Sequence, residues 1–258
     1  NLAFASTGGE TLLFDATAYS SRLRAVAQSD TAGWGMTRGL RVSDDLLFQC
    51  DGGSGLRILD VADPAEPQWL GAIHNAHLTW EQGRWNAYAA DVSPPYVFVA
   101  AREPGVLIVN YSDPIHPAFA ELLDTPDAAS DLEVEGNILY VADRNGGLRL
   151  YDITDPVNPL FLDSLELYNQ EWEEFMGIEV VGDYAYIAAY WAGLVVVDCS
   201  DPTHLSLAGS INLAPASLWD AKIRDNYAFV GGEGSGLQII DITDPAAMYV
   251  VGHAVTPD

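Results

Sequence analysis

The sequence predicts an all-β fold built from repeats, and two observations carry that prediction. The first is a motif of a glycine, four mostly apolar residues, an aspartate and, three residues later, Asp-Pro, seen first in full at Gly55–Pro64. The second is its spacing, because the aspartate (or Asn110 in one copy) recurs every 42 to 50 residues. Strand-like repeats of that length are typical of the blades of a β-propeller. Further full copies start at Gly105, Gly147, Gly193 and Gly236, and a partial copy starts at Gly9.

The elements of one repeat are clearest in residues 177–213. Short β-branched and aromatic runs at 177–181, 184–189, 193–198 and about 205–213, bounded by Gly and Asp, predict four strands joined by hairpins. The third of these is apolar throughout, which predicts a strand buried on both faces. The following Asp-x-x-Asp-Pro predicts a tight turn, since Pro lacks an N–H and Asp side chains accept backbone N–H groups.

We therefore predict a closed six-bladed β-propeller with four-stranded blades, forming a single domain over residues 1–258. The first blade is expected to differ from the others. Residues 1–5 match second strands such as 96–100 and 184–188, and residues 249–255 match a fourth strand. Within these 258 residues, the first blade is therefore predicted to lack its innermost strand.

Charge is the second strong signal in the sequence. There are 37 acidic residues against 11 basic ones, a net charge of −26, and Lys222 is the single lysine. Such a surface repels phosphates and anionic lipid headgroups, so we expect no nucleic-acid partner. The longest apolar runs have the length of strands, so no membrane insertion is expected. The acidity fits a soluble secreted surface, a salt-rich habitat or the binding of divalent cations.

The two cysteines are predicted to be free thiols. Cys50 follows a second strand and Cys199 follows a third strand three repeats later. Side chains so placed are too far apart for the short Cα separation that a disulfide requires.

The five full motifs resemble those of the LVIVD-repeat family, β-propellers of bacterial and archaeal extracellular or surface proteins. The resemblance covers nearly the whole chain and implies a propeller that is secreted or held at the cell surface. It implies no single activity and no set of catalytic residues. Asn110 in place of Asp, Ala18-Tyr19 in place of Asp-Pro, and Leu205 and Met248 in place of a later proline are departures expected to weaken individual turns.

Candidate ligand-binding residues lie in the loops that join blades and in those that join second to third strands. In propellers these loops share the face on which ligands usually bind. Exposed aromatic rings with nearby polar groups suit a sugar or a peptide, although the same rings would also serve to pack their own long loops. The candidates are Trp34, His74, His77, Trp80, Trp85, Arg102, Arg144, Trp172, Tyr190, Trp191, Trp219 and Glu233.

No catalytic residue or cofactor is predicted. The chain has no Gly-x-Ser-x-Gly elbow, His-Glu-x-x-His or phosphate loop, and the Gly-rich stretch 51–55 leads into a strand rather than a helix. His74 and His77 supply too few ligands for a closed zinc site. Calcium, held by oxygens near Asp51 or Glu171–Glu174, is the one metal that the sequence leaves open.

Three functions fit these features. The favoured one is a non-enzymatic extracellular or cell-surface module that binds a protein or polysaccharide through the loop face. The alternative is a carbohydrate-active hydrolase or lyase with carboxylates at the channel mouth, for which two carboxyls about 5 to 9.5 Å apart in a deep pocket would be evidence. The third is a subunit of a larger surface assembly, which would need a dry patch of interface size. The carboxylates considered for catalysis are Asp51, Asp143, Glu171 and Glu233.

Overall fold

The chain is described here from a computed structural model. The backbone is described for residues 2–7, 10–15, 24–30, 37–74, 85–167, 174–214, 216–233 and 236–254, and side chains are described from residue 37 onward, except that of Glu233. The chain divides into two compact units, residues 1–124 and residues 125–258, and each is described by itself.

The first unit contains three antiparallel sheets whose strands follow the order of the chain. The first sheet has three strands in the described residues and the other two have four. Their strands are β1 Leu2–Thr7, β2 Glu10–Asp15 and β3 Arg24–Asp30; β4 Gly39–Ser43, β5 Leu46–Cys50, β6 Leu56–Asp60 and β7 Gln68–Ile73; and β8 Ala89–Ser93, β9 Tyr96–Ala100, β10 Val106–Asn110 and β11 Ala118–Leu123.

The second unit contains three four-stranded antiparallel sheets of the same topology. A single 3-10 turn, Pro245–Ala247, is the helical element in its described part. The strands are β12 Asp131–Glu135, β13 Ile138–Ala142, β14 Leu148–Asp152 and β15 Leu160–Leu165; β16 Phe175–Val181, β17 Tyr184–Ala189, β18 Gly193–Asp198 and β19 Ser206–Ile211; and β20 Ser217–Arg224, β21 Tyr227–Glu233, β22 Gly236–Asp241 and β23 Tyr249–Ala254.

The all-β prediction and the four-stranded repeat are confirmed for the five sheets from β4 to β23. In the first sheet, β1 to β3 take the places of the second, third and fourth strands of a repeat. That this sheet lacks an innermost strand stays a prediction, because residues 31–36 and 255–258 lie outside the described part. Closure of the six sheets into one ring, and the single domain that it implies, also stay predictions.

The core lies between neighbouring sheets and is built mainly from their second and third strands. In the third strands, Val106–Val109 and Leu194–Val197 are fully buried, as their unbroken apolar sequence predicted. Side chains of β5 and β6 pack with those of β9 and β10 in one cluster. In the second unit, β17 and β18 contribute to two clusters, one with β13, β14 and β16 and one with β20 to β22.

The glycine that opens each motif is required by the backbone. Gly55 and Gly193 have φ of 99° and 92°, a region that side chains strongly disfavour. A Cβ atom at Gly193 would also overlap the carbonyl oxygen of Ile211 on the adjacent fourth strand. The recurrence of glycine at this position therefore has a local steric cause.

The Asp-x-x-Asp-Pro turns form as predicted in all five full repeats. In the repeat that holds Asp198, its carboxylate accepts the N–H of Ser200 at 2.9 Å, and Asp201 accepts the N–H of Thr203 at 3.0 Å. Hydrogen bonds from the side chains of Ser200 and Thr203, together with those from their N–H groups, lower the pKa of the two aspartates. Asn110 makes the same contact, since its Oδ1 accepts the N–H of Ser112 at 2.9 Å. The other turns use Asp60 and Asp63, Asp113, Asp152 and Asp155, and Asp241 and Asp244.

Leu205, one of the departures from the repeat, has a structural explanation. Unlike the proline found there in other repeats, leucine has a backbone N–H, and Asp163 on β15 of the preceding sheet accepts it at 2.8 Å. The position of Asp163 on the fourth strand is taken by Gly71 and Gly209 in two other repeats. At both glycines the backbone of the next repeat's turn approaches too closely for a Cβ atom. Neighbouring sheets are therefore joined at this point either by close backbone packing or by a side-chain hydrogen bond.

Both cysteines are buried and neither forms a disulfide, as predicted. Burial raises the pKa of the Cys199 thiol to about 12, which keeps it protonated and unreactive. In the part of the chain that is described, no helix has the length and apolar character to cross a membrane.

Candidate functional site

The predicted ligand face corresponds to one end of each sheet, which we call the loop end. It is the end at which the second strand finishes and the third begins. In three repeats the chain turns there with the same hydrogen bond, from the N–H of Asp51, Ala101 or Asp143 to the carbonyl of the glycine four residues later, at 2.8 to 2.9 Å. The next residue has a positive φ in each: Gly52, Arg102 and Arg144. A positive φ costs a residue with a side chain about 1 kcal/mol, whereas glycine adopts it freely. The backbone conformation of the two arginines is therefore locally unfavourable.

A cationic cluster, formed by Arg38, Tyr88 and Arg102, lies at the loop end of the first unit. The Cζ atoms of Arg38 and Arg102 lie 5.0 and 4.9 Å from the centroid of the Tyr88 ring. Arg102 also donates from Nη1 to the Tyr88 hydroxyl at 2.8 Å. Backbone bonds from Arg38 to Cys50 and from Tyr88 to Ala100 fix the cluster to the ends of β5 and β9. Two guanidinium groups are thus gathered on one aromatic ring.

Arg144 is arranged differently in the second unit. Its guanidinium contacts the Glu174 carboxylate through two nitrogens, with Nε at 2.9 Å from Oε2. Its carbonyl accepts the N–H of Phe175 at 3.2 Å, so the loop after β13 is attached to the start of β16. The charge of Arg144 is therefore neutralised within the protein.

An aromatic cluster, formed by Tyr190, Trp191 and Trp219, lies at the loop end of the second unit. The Tyr190 ring contacts both indoles edge to face, with centroids 5.1 Å from Trp191 and 5.4 Å from Trp219. A register shift in the pairing of β20 with β21 leaves Trp219 without a partner residue. Leu218 donates its N–H to the carbonyl of Tyr190 at 2.9 Å and so joins the two segments. Although the rings contact one another, Trp191 and Trp219 remain 43% and 48% exposed.

Asp51 and Asp143, considered for catalysis from sequence, are fully buried beneath these loops. Asp51 pairs with Arg57 at 2.7 Å. Asp143 accepts from the Thr125 hydroxyl at 2.7 Å and from the N–H of Asp127 at 3.1 Å, with Arg149 at 3.4 Å. Burial raises the pKa of both carboxyls, and the arginines oppose that rise. The contacts of both aspartates hold the turn and the sheet beneath it, which is a structural role.

Carboxylates also line the first strands of the second unit. On β12, Asp131 accepts the N–H of Ile178 at 2.9 Å and Glu133 accepts that of Val180 at 2.7 Å, so side chains join β12 to β16. On β20, Lys222 lies 2.9 Å from Glu179 and 3.7 Å from Asp220. Among the described residues, no group of three or more His, Cys, Asp or Glu side chains has the arrangement of a metal site.

The stability of the protein is expected to depend on pH through Asp131. Burial raises its pKa to about 7, Asp220 adds to the rise, and Lys222 and two backbone N–H groups oppose it. Because the unfolded chain has the lower pKa, this carboxyl favours the folded state below about pH 4 and loses that effect as the pH rises through 7. Relative to the variant Asp131→Asn, the wild type should lose about 1 to 3 kcal/mol of unfolding free energy between pH 5 and pH 8.

Urea unfolding of both proteins at pH 5 and pH 8 measures this difference. Asp152→Asn provides the control, since hydrogen bonds from Thr154 lower the pKa of Asp152 and leave it ionised in both states throughout this range. If the unfolding free energies of wild type and Asp131→Asn differ by the same amount at pH 5 and at pH 8, the expectation is wrong.

The comparison with protein families follows the repeats described above. A family model described as "LVIVD repeat" matches residues 34–73, 87–125, 127–166, 175–213 and 217–256. The chain belongs to the LVIVD repeat family. Each matched segment of this LVIVD-repeat protein contains one of the four-stranded sheets.

Comparison with solved structures gives a likeness in fold. The crystal structure of the computationally designed Ika8 protein is similar to the chain with a TM-score of 0.63 and 13% sequence identity, over 93% of this chain and 70% of that one. A search of curated protein sequences found no match.

The structure brings together only some of the predicted site residues of the LVIVD-repeat protein. Tyr190, Trp191 and Trp219 form one cluster, and Arg102 belongs to another. His74 is exposed, with Nδ1 3.2 Å from the carbonyl of Ser54. Trp85, by contrast, is fully buried in the core of the first unit, because its ring packs between sheets rather than on a loop. Trp34, His77, Trp80 and Trp172, like Glu171 and the Glu233 side chain, lie outside the described residues.

Sequence reasoning missed Arg38 and Tyr88. Both directly precede the first strand of an LVIVD repeat, at β4 and β8, and the prediction considered only longer loops. A signal was present, since an arginine is uncommon in this acidic chain. What the sequence did not supply is that the first strands of two neighbouring repeats bring these residues to one place.

Proposed function

We propose that this LVIVD-repeat protein is a non-enzymatic binding module, secreted or held at the cell surface, that takes a polysaccharide at its loop end. In this proposal the six sheets close into a six-bladed β-propeller that forms a single domain. Six sheets at regular intervals and cores shared by neighbouring sheets within each unit support that architecture.

The aromatic cluster carries the functional part of the proposal. Indole rings that are nearly half exposed lose favourable burial unless a ligand covers them. Edge-to-face contacts with Tyr190 fix the orientation of Trp191 and Trp219, so little side-chain entropy is lost on binding. Rigid, exposed aromatic faces suit the apolar faces of sugar rings, whose hydroxyls can stay hydrated or bond to nearby polar groups.

The carboxylates of the described residues give less support to the hydrolase or lyase alternative. Asp51 and Asp143 are buried and occupied by structural partners, as described above. No other observation favours catalysis over binding. A nucleic-acid ligand stays unexpected because of the net charge of −26.

Replacing Trp219 with alanine tests the proposal. A glycan array screened with the wild type identifies a binding oligosaccharide, and titration calorimetry then measures its affinity for each variant. Trp219→Ala should weaken binding by about tenfold or more, because an anchoring aromatic residue is lost. Trp69→Ala is the matched control: Trp69 is 53% exposed but lies next to the Asp-Pro turn, at the opposite end of its sheet.

Equal weakening by both substitutions would contradict the proposed site. If no oligosaccharide on the array binds and a protein is captured through the aromatic cluster, the ligand is a protein rather than a polysaccharide. Release of shortened oligosaccharides during the titration would instead support the enzymatic alternative.

A further inference from the structure

Arginine and lysine side chains are scarce in this chain and are paired almost everywhere. Carboxylates outnumber cations 37 to 11. Among the side chains that the structure describes, every cation but one has a carboxylate oxygen within 4.0 Å. The paired cations are Arg41, Arg57, Arg102, Arg144, Arg149, Lys222 and Arg224.

Arg38 is the exception among the described cations. Its side chain is exposed, and its guanidinium carbon lies over the Tyr88 ring at 5.0 Å from the centroid. A second cation, Arg102, contacts the same ring. In a chain so rich in carboxylates, two guanidinium groups gathered on one ring repel each other without a shared counter-ion.

Arg102 is only weakly neutralised. Its nearest carboxylate oxygen, on the exposed Glu103, lies 3.7 Å away, and such surface pairs contribute little. Arg102 also keeps a positive φ of 63° at a position where another repeat has Gly52. Because glycine would adopt this conformation without strain, retention of the arginine side chain needs a reason other than the turn.

Tyr88 supplies a third hydrogen-bond donor. Its hydroxyl accepts a hydrogen bond from Arg102, which leaves the hydroxyl hydrogen to be donated. The ring holds the two guanidinium groups by cation–π attraction, so their positions are set before a ligand arrives. Donors from Arg38, Arg102 and Tyr88 therefore all lie around the Tyr88 ring at the loop end of the first unit.

We propose that Arg38, Tyr88 and Arg102 form a binding site for a single carboxylate group, carried by a uronic acid on an otherwise neutral oligosaccharide. Planar guanidinium groups match a carboxylate geometrically and supply charge-assisted hydrogen bonds. The net charge of −26 repels polymers with a carboxylate on every residue, which favours a ligand with an isolated one. This inference rests on the proposed polysaccharide-binding function and specifies its ligand class.

Titration calorimetry at low ionic strength tests the site with two probes of the same shape. They are xylotriose carrying one glucuronic acid, and the methyl ester of that oligosaccharide. The wild type should bind the acid about tenfold more tightly than the ester, since the hydrogen bonds to a charged group are lost in the ester. Arg38→Gln should abolish this preference, and Arg38→Lys should restore part of it, because lysine keeps the charge without the planar fork.

Arg224→Gln is the matched control, since it removes the same charge from a side chain that is 83% exposed. This variant should keep the preference for the acid. Equal binding of acid and ester by the wild type, or the same loss in Arg224→Gln as in Arg38→Gln, would overturn the site. Absence of binding to both probes would also overturn it for a uronate ligand. Tight binding of triglutamate that Arg38→Gln abolishes would assign the site to an acidic peptide instead.

Trp219→Ala separates the failure of this inference from that of the proposed function. The oligosaccharide identified on the glycan array tests the aromatic cluster, and the acid and its ester test the carboxylate site. If Trp219→Ala weakens binding of the array oligosaccharide while Arg38→Gln leaves the preference for the acid unchanged, the carboxylate site is wrong and the sugar-binding function stands. If Arg38→Gln removes the preference for the acid while Trp219→Ala leaves binding of the array oligosaccharide unchanged, the aromatic cluster is not the sugar site.

Discussion

Replacing Arg57 with leucine is expected to destabilise the protein by about 3 to 5 kcal/mol, because it leaves the buried carboxylate of Asp51 without its cation. Asp51 is fully buried and its ion-pair partner in the described structure is Arg57, at 2.7 Å. Arg57 is itself largely buried, against the ring of Trp69. Both members of the ion pair are therefore shielded from bulk solvent.

The double variant Asp51→Ala/Arg57→Leu is expected to recover most of that loss. In the next repeat the same two positions are held by Ala101 and Leu107, both fully buried. The fold therefore already accommodates an apolar pair at this place, and apolar replacement of a buried ion pair is often close to neutral. Urea unfolding of the wild type, the Arg57→Leu variant, Asp51→Ala and the double variant gives the coupling energy as a double-mutant cycle. A double variant as unstable as the sum of the single variants would contradict the interpretation.

Replacing Gly209 with alanine is expected to destabilise the protein by about 2 to 4 kcal/mol. Gly209 lies on β19, where the turn at Pro245 of the next sheet approaches it. A Cβ atom would overlap the carbonyl oxygen of Pro245 and lie 2.6 Å from its carbonyl carbon. Because these are backbone atoms on both sides, the clash is relieved only by moving one sheet away from the other.

Gly231→Ala is the control for this substitution. Gly231 lies on β21 in the same unit, and a Cβ atom there would meet nothing within 4 Å. Its unfolding free energy should change by less than about 1 kcal/mol. Thermal and urea unfolding of both variants measures the contrast, and equal stability of the two would show that β19 and the Pro245 turn separate without cost.

The strands and turns could be predicted because their causes are local. The motif glycines require a positive φ, the aspartates accept N–H groups two residues ahead, and the apolar third strands are buried on both faces. Asn110 and Leu205 were expected to weaken their turns. Asn110 instead makes the same bond as aspartate, and the N–H of Leu205 is accepted by Asp163 of the neighbouring sheet. The second effect depends on a contact between repeats, which a single repeat does not show.

The candidate site could be predicted only in part, for the same reason. The loop positions of Tyr190 and Trp191 follow from the repeat, but their contact with Trp219 depends on a register shift in the next sheet. Trp85 was assigned to a loop by its place in the chain, whereas packing between two sheets decides its burial. Arg38 and Arg102 are distant in sequence and meet only because neighbouring repeats place both beside Tyr88.

The buried ion pair of one repeat stands where the next repeat has two apolar residues. This difference affects which strands pair with each other during folding. Similar repeats in one chain risk exchanging hairpins, because their strands have nearly the same sequence. If β6 paired with β9 in place of β10, Arg57 would be buried beside Ala101 instead of Asp51. Such an exchange leaves one repeat with an unpaired arginine and the other with an unpaired aspartate, which is strongly unfavourable. The buried ion pair of Asp51 and Arg57 thus disfavours the exchange of β6 and β10 between their sheets.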